Sequence, residues 1–479
     1  MDMQTPSGPP GPEPTLSAVP ATAPAAASPA PPASKPDPRD EACRLLVRLD
    51  SPEARARELV DEALRSLPFS PEDGALLQEL VHGTLRQRGL LDWRLAQVSH
   101  RPLEALSPWV RALLRLSLYQ VLCLDRIPAA AAVDAACEIA RRHGHDGVVK
   151  FVNGCLREIC RQKTENKLLA LPVHPVQRLA IESSHPVWMA ERLTESFGWE
   201  RAAQALAASN QAPPLTLRVN PQRARRDEVA SRLHQAGFHV EPCRFSPWGL
   251  RVKEAVDTRR LPGFLDGDFH VQDESAQLAG LLLGVQPDWQ VADVCAAPGG
   301  KLCLLAELLG KGGRLWAFDR KAGSMEKIQS TLRRQGIQHL VCETRDALTP
   351  KEDLAGRMDA VLVDAPCSAL GVLRRRAEAR WQLRPESLPV SVERQARLLS
   401  ASARYLKPGG VLVYTVNSWD EDEGEGVVAR FLERTPGFSF ERASLFLPHE
   451  VCTRDGFLRV WPGQDGMDGV FAARLRRAG

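Results

Sequence analysis

One stretch, Val291 to Lys301, reading Val-Ala-Asp-Val-Cys-Ala-Ala-Pro-Gly-Gly-Lys, constrains this chain more than any other. Its apolar start predicts a buried strand over Val291–Cys295. Pro298-Gly299-Gly300 breaks that strand, and the apolar run resuming at Lys301 predicts a helix to about Leu309. Strand, turn and helix N-terminus in that order can build a ligand site. The glycines let backbone N–H groups approach a ligand closely, and the unpaired N–H groups and positive dipole end of the helix favour an anionic or electron-rich group. A purely structural turn satisfies the same pattern, so the rest of the chain must decide.

Two common glycine-loop sites fail on inspection. A P-loop needs Gly, four residues, then Gly-Lys-Ser/Thr, whereas Lys301 is followed by Leu302 with no glycine at the required distance upstream. The G-x-G-x-x-G dinucleotide fingerprint is also missing, which disfavours a nicotinamide-linked oxidoreductase. An acidic residue, Asp319, nonetheless ends the next predicted strand, Gly313–Asp319, where a ribose diol would be held. What remains is S-adenosylmethionine in a Rossmann-like methyltransferase. The hexad Ala296-Ala297-Pro298-Gly299-Gly300-Lys301 resembles motif I of the RNA cytosine-C5 methyltransferases of the RsmB type (the NOL1/NOP2/Sun family).

The 479 residues suggest a multidomain chain of two to four domains, and the 44% hydrophobic content is ample for their cores. Residues 1–38 are dominated by Pro, Ala and Ser and predict a disordered tail, because such a segment buries too little surface to offset ordering entropy. Residues 39–165 carry apolar positions at three- and four-residue spacing and predict an all-α bundle. Glu79-Leu-Val-His-Gly-Thr-Leu-Arg86, Arg111 to Gln120 and Phe151-Val-Asn-Gly-Cys-Leu-Arg157 resemble the NusB-like RNA-binding domain that RsmB carries at its N-terminus. RNA affinity there would come from Arg86, Arg88, Arg141 and Arg142.

Residues 166–285 predict a small α+β linker unit, with strands at Leu215–Asn220 and Phe238–Cys243 around a helix near Asp227–Ala236. Its basic cluster, Arg218, Arg223, Arg225 and Arg226, is a candidate backbone-binding surface or a solvated face. From residue 286 to 479 strands and helices alternate, predicting a doubly wound α/β sheet closed by an antiparallel pair, Phe438–Leu445 with Gly469–Leu475. In such sheets ligands bind outside the carboxyl ends of the strands.

C5 of cytosine is a poor nucleophile, so its methylation normally begins with a thiolate adding to C6, and a carboxyl group near N3 stabilises the developing charge. Asp364-Ala-Pro-Cys367, at the end of a predicted strand, offers both groups. The resemblance implies that Cys295, Ala296, Ala297, Pro298, Gly299, Gly300 and Lys301 hold the methionine end of S-adenosylmethionine, Asp319 the ribose and Asp346 the adenine region. It further implies that Asp364 lies between cofactor and base, and that Cys367 assists product release. The family's attacking thiolate comes from a Thr-Cys-Ser tripeptide closing the strand after Gly409-Gly410. Here that strand reads Val411-Leu-Val-Tyr-Thr-Val-Asn417-Ser418, with a carboxamide at the nucleophile position.

The loop Gly371 to Trp381 sets arginines beside an indole, which suits a single-stranded or looped RNA. Two readings stay open: an enzyme methylating cytosine C5 in small-subunit (16S) ribosomal RNA, or a relative that binds RNA and S-adenosylmethionine without turnover and acts in ribosome assembly. Neither metal nor disulfide spacing is present among the eleven cysteines and eleven histidines, and a net charge of +3 is too mild to argue nucleic acid by itself. With no long apolar run and no leader pattern, the expectation is a cytoplasmic monomer with no membrane or DNA partner.

Overall fold

Six helices form the N-terminal bundle: α1 (Pro38–Arg48), α2 (Ala56–Ser66), α3 (Pro71–Val98), α4 (Pro108–Cys123), α5 (Ala129–His143) and α6 (Asp146–Thr164). The computed structural model describes residues 35–479 apart from 168–170, 255 and 339. The tail expected over residues 1–38 therefore lies outside the described residues, except at its end. There a correction applies: Asp37 caps α1 by accepting the Arg39 N–H, so helix begins at Pro38. Ser70 and Ser107 cap α3 and α4 in the same way, each with proline at the first helical position, where a missing N–H costs nothing. α4 is buried along most of its length, from Val110 to Val121. It is the central helix of the bundle, packed on α3 through Leu77, Leu80, Val81 and Leu85.

Three helices follow, α7 (Pro175–Glu182), α8 (Val187–Phe197) and α9 (Trp199–Ala208), and then the small unit: β1 (Leu215–Val219), α10 (Arg226–Gln235), β2 (Val240–Pro242), β3 (Gly249–Val252) and β4 (Phe269–Val271). Its four-stranded antiparallel sheet runs β2-β3-β1-β4. The strands expected at Leu215 and Phe238 are present with trimmed ends, and the helix between them begins one residue earlier than expected. β3 and β4 were not expected, because three or four residues are too few to display a period.

The last part contains α11 (Glu274–Leu281), β5 (Gln290–Asp293), α12 (Gly300–Leu309), β6 (Arg314–Asp319), α13 (Ala322–Gln335), β7 (Leu340–Thr344), β8 (Met358–Asp364), α14 (Ala379–Gln382), α15 (Ser387–Ala403), β9 (Leu406–Val416), α16 (Glu425–Arg434), β10 (Phe438–Glu441), β11 (Leu458–Val460) and β12 (Val470–Arg477). Its sheet runs β10-β12-β9-β8-β5-β6-β7, with β11 paired to β12. β5 to β9 are parallel, and β10 with β12 forms the antiparallel pair expected from the sequence, although β10 stops at Glu441 before a turn over Ala443–Leu445 and β11 was not expected. Alternation along β5 sends Val291 into the apolar layer with α11, α12 and α13 and Ala292 into the layer with α15 and α16. The chain leaves β5 toward β6 and β7 on one side and returns to β8 on the other, so the topological switch point lies at the carboxyl end of β5. Pro36 to Gly479 is one compact unit. Among the described residues no helix is long and apolar enough to cross a membrane.

Candidate active site

β5 ends at Asp293, and the chain turns through Ala296, Ala297 and Pro298 to Gly299, the N-cap of α12. Gly299 has φ +105°, a backbone state that a side chain would strain, so the turn that delivers the helix N-terminus requires glycine there. Asp319, at the carboxyl end of β6, ties that turn down: its carboxylate accepts the N–H of Ala297 at 3.2 Å and of Lys321 at 3.0 Å. Asp346, just beyond β7, accepts the Leu348 N–H at 3.0 Å.

Cys295, Asp319 and Asp346 line one cavity of about 380 Å³, together with Val294, Ala347, Pro366 and Arg394. That volume lies within the range of roughly 300–1,000 Å³ typical of small-molecule sites. The cavity's spaced carboxylates fit the hydroxyl and amine donors of an adenosine, whereas Ala296, Ala297, Pro298, Gly299 and Gly300, expected to hold the methionine end, do not line this cavity. Lys301, grouped with the cofactor residues in the sequence reading, points its ammonium elsewhere, 2.7 Å from Asp364 Oδ2 at the end of β8. Both partners are largely buried, so this pair holds the Asp364 carboxylate in one place.

Cys367 lies in the loop that leaves β8. The backbone N–H groups of Ala369 and Asn417 face its sulfur, yet burial and, next, the Glu423 carboxylate push the thiol up to about 12. It is a neutral thiol at physiological pH. Asn417 follows the end of β9, beside β8 in the sheet, so the two family positions come together. Gly371 stitches them: its N–H donates to the Asn417 carbonyl at 2.9 Å, and its own carbonyl accepts the Gly469 N–H at 2.8 Å. A Cβ at Gly371 would stand 2.3 Å from the Gly469 oxygen, so no other residue fits that crossing. The Asn417 carboxamide is half-buried and makes no hydrogen bond among the described residues.

Comparison with known proteins places this geometry. Residues 280–476 match the family described as 16S rRNA methyltransferase RsmB/F, residues 36–161 the NusB family, and residues 185–259 the RsmF/B-like ferredoxin-like domain. The chain belongs to the RsmB/F family. A probable ribosomal RNA small subunit methyltransferase B of Bacillus subtilis is 34% identical over 92% of this chain and 99% of its own length. The ribosomal RNA small subunit methyltransferase B of Pseudomonas putida is 34% identical over 92% of this chain and 98% of its own. Among solved structures, PH0851 superposes with a TM-score of 0.77 at 26% identity, covering 93% of this chain and 99% of that one. The resemblance, the three-part architecture and S-adenosylmethionine as cofactor agree with this membership.

Two residues of this RsmB/F family member that sequence reasoning missed hold the site together. Glu423 is fully buried and accepts the Ser368 N–H at 2.9 Å, the Ser368 hydroxyl, and Gln395 Nε2 at 2.9 Å, fixing the loop that carries Cys367. It escaped notice because it sits in the acidic run Asp420 to Glu425, which reads as a solvated loop. Asp293 is the other. Burial, then the nearby Asp364 carboxylate, raise its pKa from 3.8 to about 8, so it is protonated at neutral pH. A carboxyl raised by folding stabilises the fold fully below its unfolded pKa and loses that contribution as pH rises through the folded value. Stability should therefore fall between about pH 4 and pH 8. Asp293→Asn should flatten that fall in urea titrations at several pH values; an unchanged slope would assign the ionisation elsewhere.

Most of the arginine loop is committed within the fold, while Arg376 stays partly exposed with Glu378 at 3.8 Å. Arg374 and Arg375 are bound to Asp468 and Asp273, and Arg380, fully buried, donates to the carbonyls of Ser184 and Ser209 and to Asn210 Oδ1. Trp381 Nε1 donates to the Leu85 carbonyl at 2.7 Å. Trp381 thus joins the bundle to the methyltransferase part, and Arg380 ties that part to the helices that follow the bundle. Arg218 and Arg223 are likewise committed, Arg218 to Glu307 and Arg223 to the carbonyls of Gln335 and Asp266. In the bundle, Arg88 pairs with Asp50 and Arg142 with Asp37, whereas Arg141 stays exposed.

Proposed function

We propose that this chain binds S-adenosylmethionine in the cavity beneath Asp319 and Asp346 and acts on cytosine C5 of small-subunit ribosomal RNA, with turnover limited by Asn417. When bound, the cofactor supplies the methyl group. Asp364, fixed by Lys301, accepts from the exocyclic amine of cytosine and favours a proton on the adjacent N3 as charge develops on the ring. The addition to C6 needs a thiolate, and position 417 offers a carboxamide. Cys367 is the thiol at hand, but it is held protonated in a burial that suits proton handling at release better than attack.

The observation that carries this reading is the convergence of Asp364, Cys367 and Asn417 at the carboxyl ends of the adjacent strands β8 and β9, beside the cavity. Asn417 also favours the second reading, in which the chain binds RNA and cofactor in ribosome assembly without turnover. Labelled cofactor, unmodified small-subunit RNA and bisulfite mapping separate the two: slow transfer to one cytosine supports the enzyme, and binding with no transfer supports the assembly factor.

The cofactor assignment has its own check. Asp319→Ala should weaken S-adenosylmethionine binding by roughly 1.5–3 kcal/mol for each charged hydrogen bond lost. Unchanged affinity by calorimetry would remove Asp319 from the site.

A further inference from the structure

The cavity carries more positive charge than its cofactor can use. Arg55, Arg320, Lys321, Arg345 and Arg394 line it against only two acids, Asp319 and Asp346. S-adenosylmethionine has a single anionic group, its carboxylate, and is a net cation, so a wall of this sign opposes its entry more than it helps. Arg345 has a local partner, Glu343 at 3.6 Å. Arg394 has none. It projects from the middle of α15, half-buried, with no ion pair or hydrogen bond among the described residues, and its charge reaches the Cys295 thiol.

Arg55 comes from the other end of the chain. It is the N-cap residue of α2 in the N-terminal bundle, and one guanidinium nitrogen is anchored to the carbonyls of Pro52 at 3.1 Å and Ala54 at 3.0 Å and to Gln382 Oε1 at 3.5 Å. Its Nε and second terminal nitrogen make no hydrogen bond among the described residues. Pro366, next to Cys367, lines the same cavity as these two arginines. A base entering toward Cys367 leaves its ribose and phosphate behind at the mouth.

We propose that Arg394 and Arg55 form a phosphate clamp that seats the RNA backbone next to the target base, so that the N-terminal bundle is a wall of the reaction site and not only a remote tether. The proposal rests on the reading of the chain as an RNA-directed protein. A guanidinium already held by carbonyls loses little freedom on meeting a phosphate, and its planar fork matches two phosphate oxygens. Arg394 sits on a 17-residue helix, which fixes it equally well.

The test uses full-length protein, the variants Arg394→Gln, Arg394→Lys and Arg55→Gln, a labelled small-subunit RNA fragment at several salt concentrations, and S-adenosylmethionine calorimetry. Arg394→Gln should weaken RNA binding about tenfold, the size of one charge-assisted hydrogen bond. It should also lower the slope of log affinity against log salt by about 0.7, one single-strand phosphate contact. Arg55→Gln should act in the same direction, Arg394→Lys should keep the slope, and the loss in RNA affinity should exceed any loss in cofactor affinity. The clamp is overturned if RNA affinity and slope are unchanged, or if the loss appears in cofactor affinity, which would put Arg394 on the methionine carboxylate. If native protein binds no small-subunit RNA, the functional reading falls and takes the clamp with it. Salt-dependent native binding with an unaltered Arg394→Gln variant sinks the clamp alone.

Discussion

Asn417→Cys is expected to raise methyl transfer to small-subunit RNA by roughly a hundredfold or more, the cost that about 1 Å of misplacement imposes on a reacting group. Cys295 lines the cofactor cavity, and Cys367 is the thiol one strand over from the position that the resemblance assigns to the nucleophile. Cys367 faces the backbone N–H groups of Ala369 and Asn417 but is kept neutral by burial and Glu423, so its thiolate population at neutral pH is negligible. The substitution itself is mild. The Asn417 side chain makes no hydrogen bond among the described residues, and the bond that places the position, Gly371 N–H to the Asn417 carbonyl, belongs to the backbone. Labelled transfer by native protein, Asn417→Cys and Cys367→Ala decides the matter. A large gain in Asn417→Cys supports an inherited site that lost its nucleophile. Robust native activity abolished by Cys367→Ala would instead make Cys367 the nucleophile, as in the DNA cytosine-C5 enzymes, where a Pro-Cys pair attacks. No transfer by Asn417→Cys, in protein that still binds cofactor and RNA, would remove position 417 from catalysis.

Breaking the Arg218–Glu307 pair should cost about 3–5 kcal/mol, the penalty of leaving one buried charge without its partner. Both side chains are essentially inaccessible, and the pair is two-pronged, with Arg218 Nη2 and Nε at 2.7 and 3.1 Å from the two Glu307 oxygens. Arg218 belongs to β1 of the small unit and Glu307 to α12, so the pair bolts one part to the other. Its Nη1 donates to Gln272 and, at 2.7 Å, to the Gly300 carbonyl in the first turn of α12. Arg218→Met should therefore lower the unfolding free energy, and also the affinity for S-adenosylmethionine if the cofactor sits as proposed, next to the strand that leads into that turn. Burial pushes the Glu307 carboxyl up and Arg218 pulls it back, so Glu307 would take up a proton once Arg218 is gone. Denaturant titration and calorimetry on Arg218→Met and on the double variant Arg218→Met/Glu307→Leu provide the check. The double variant should recover much of the stability, since two apolar groups of similar size leave no orphaned charge. A loss in Arg218→Met below about 1 kcal/mol, the range of an exposed pair, would contradict this account.

What the sequence determined by itself was local in origin. The glycine turn after β5, the alternation of strands and helices around it and the spacing of apolar residues in the bundle are patterns a few residues long. They fix backbone states and buried faces without knowledge of distant partners, so the architecture, the glycine turn and the place of Asn417 at the end of its strand were legible. The tertiary structure decided the fate of the charges. Arg218, Arg374 and Arg380 read in sequence as an RNA surface, and each is consumed by carboxylates or carbonyls far away in the chain. Glu423, hidden in an acidic run, proves to be a buried anchor, and Arg55 and Arg394, separated by most of the chain, line the same cavity. The physical reason is that an apolar residue declares its burial through periodicity, whereas whether a charged residue faces water, a partner or a ligand is set by which groups the fold brings within a few ångströms, and a sequence does not record those distances.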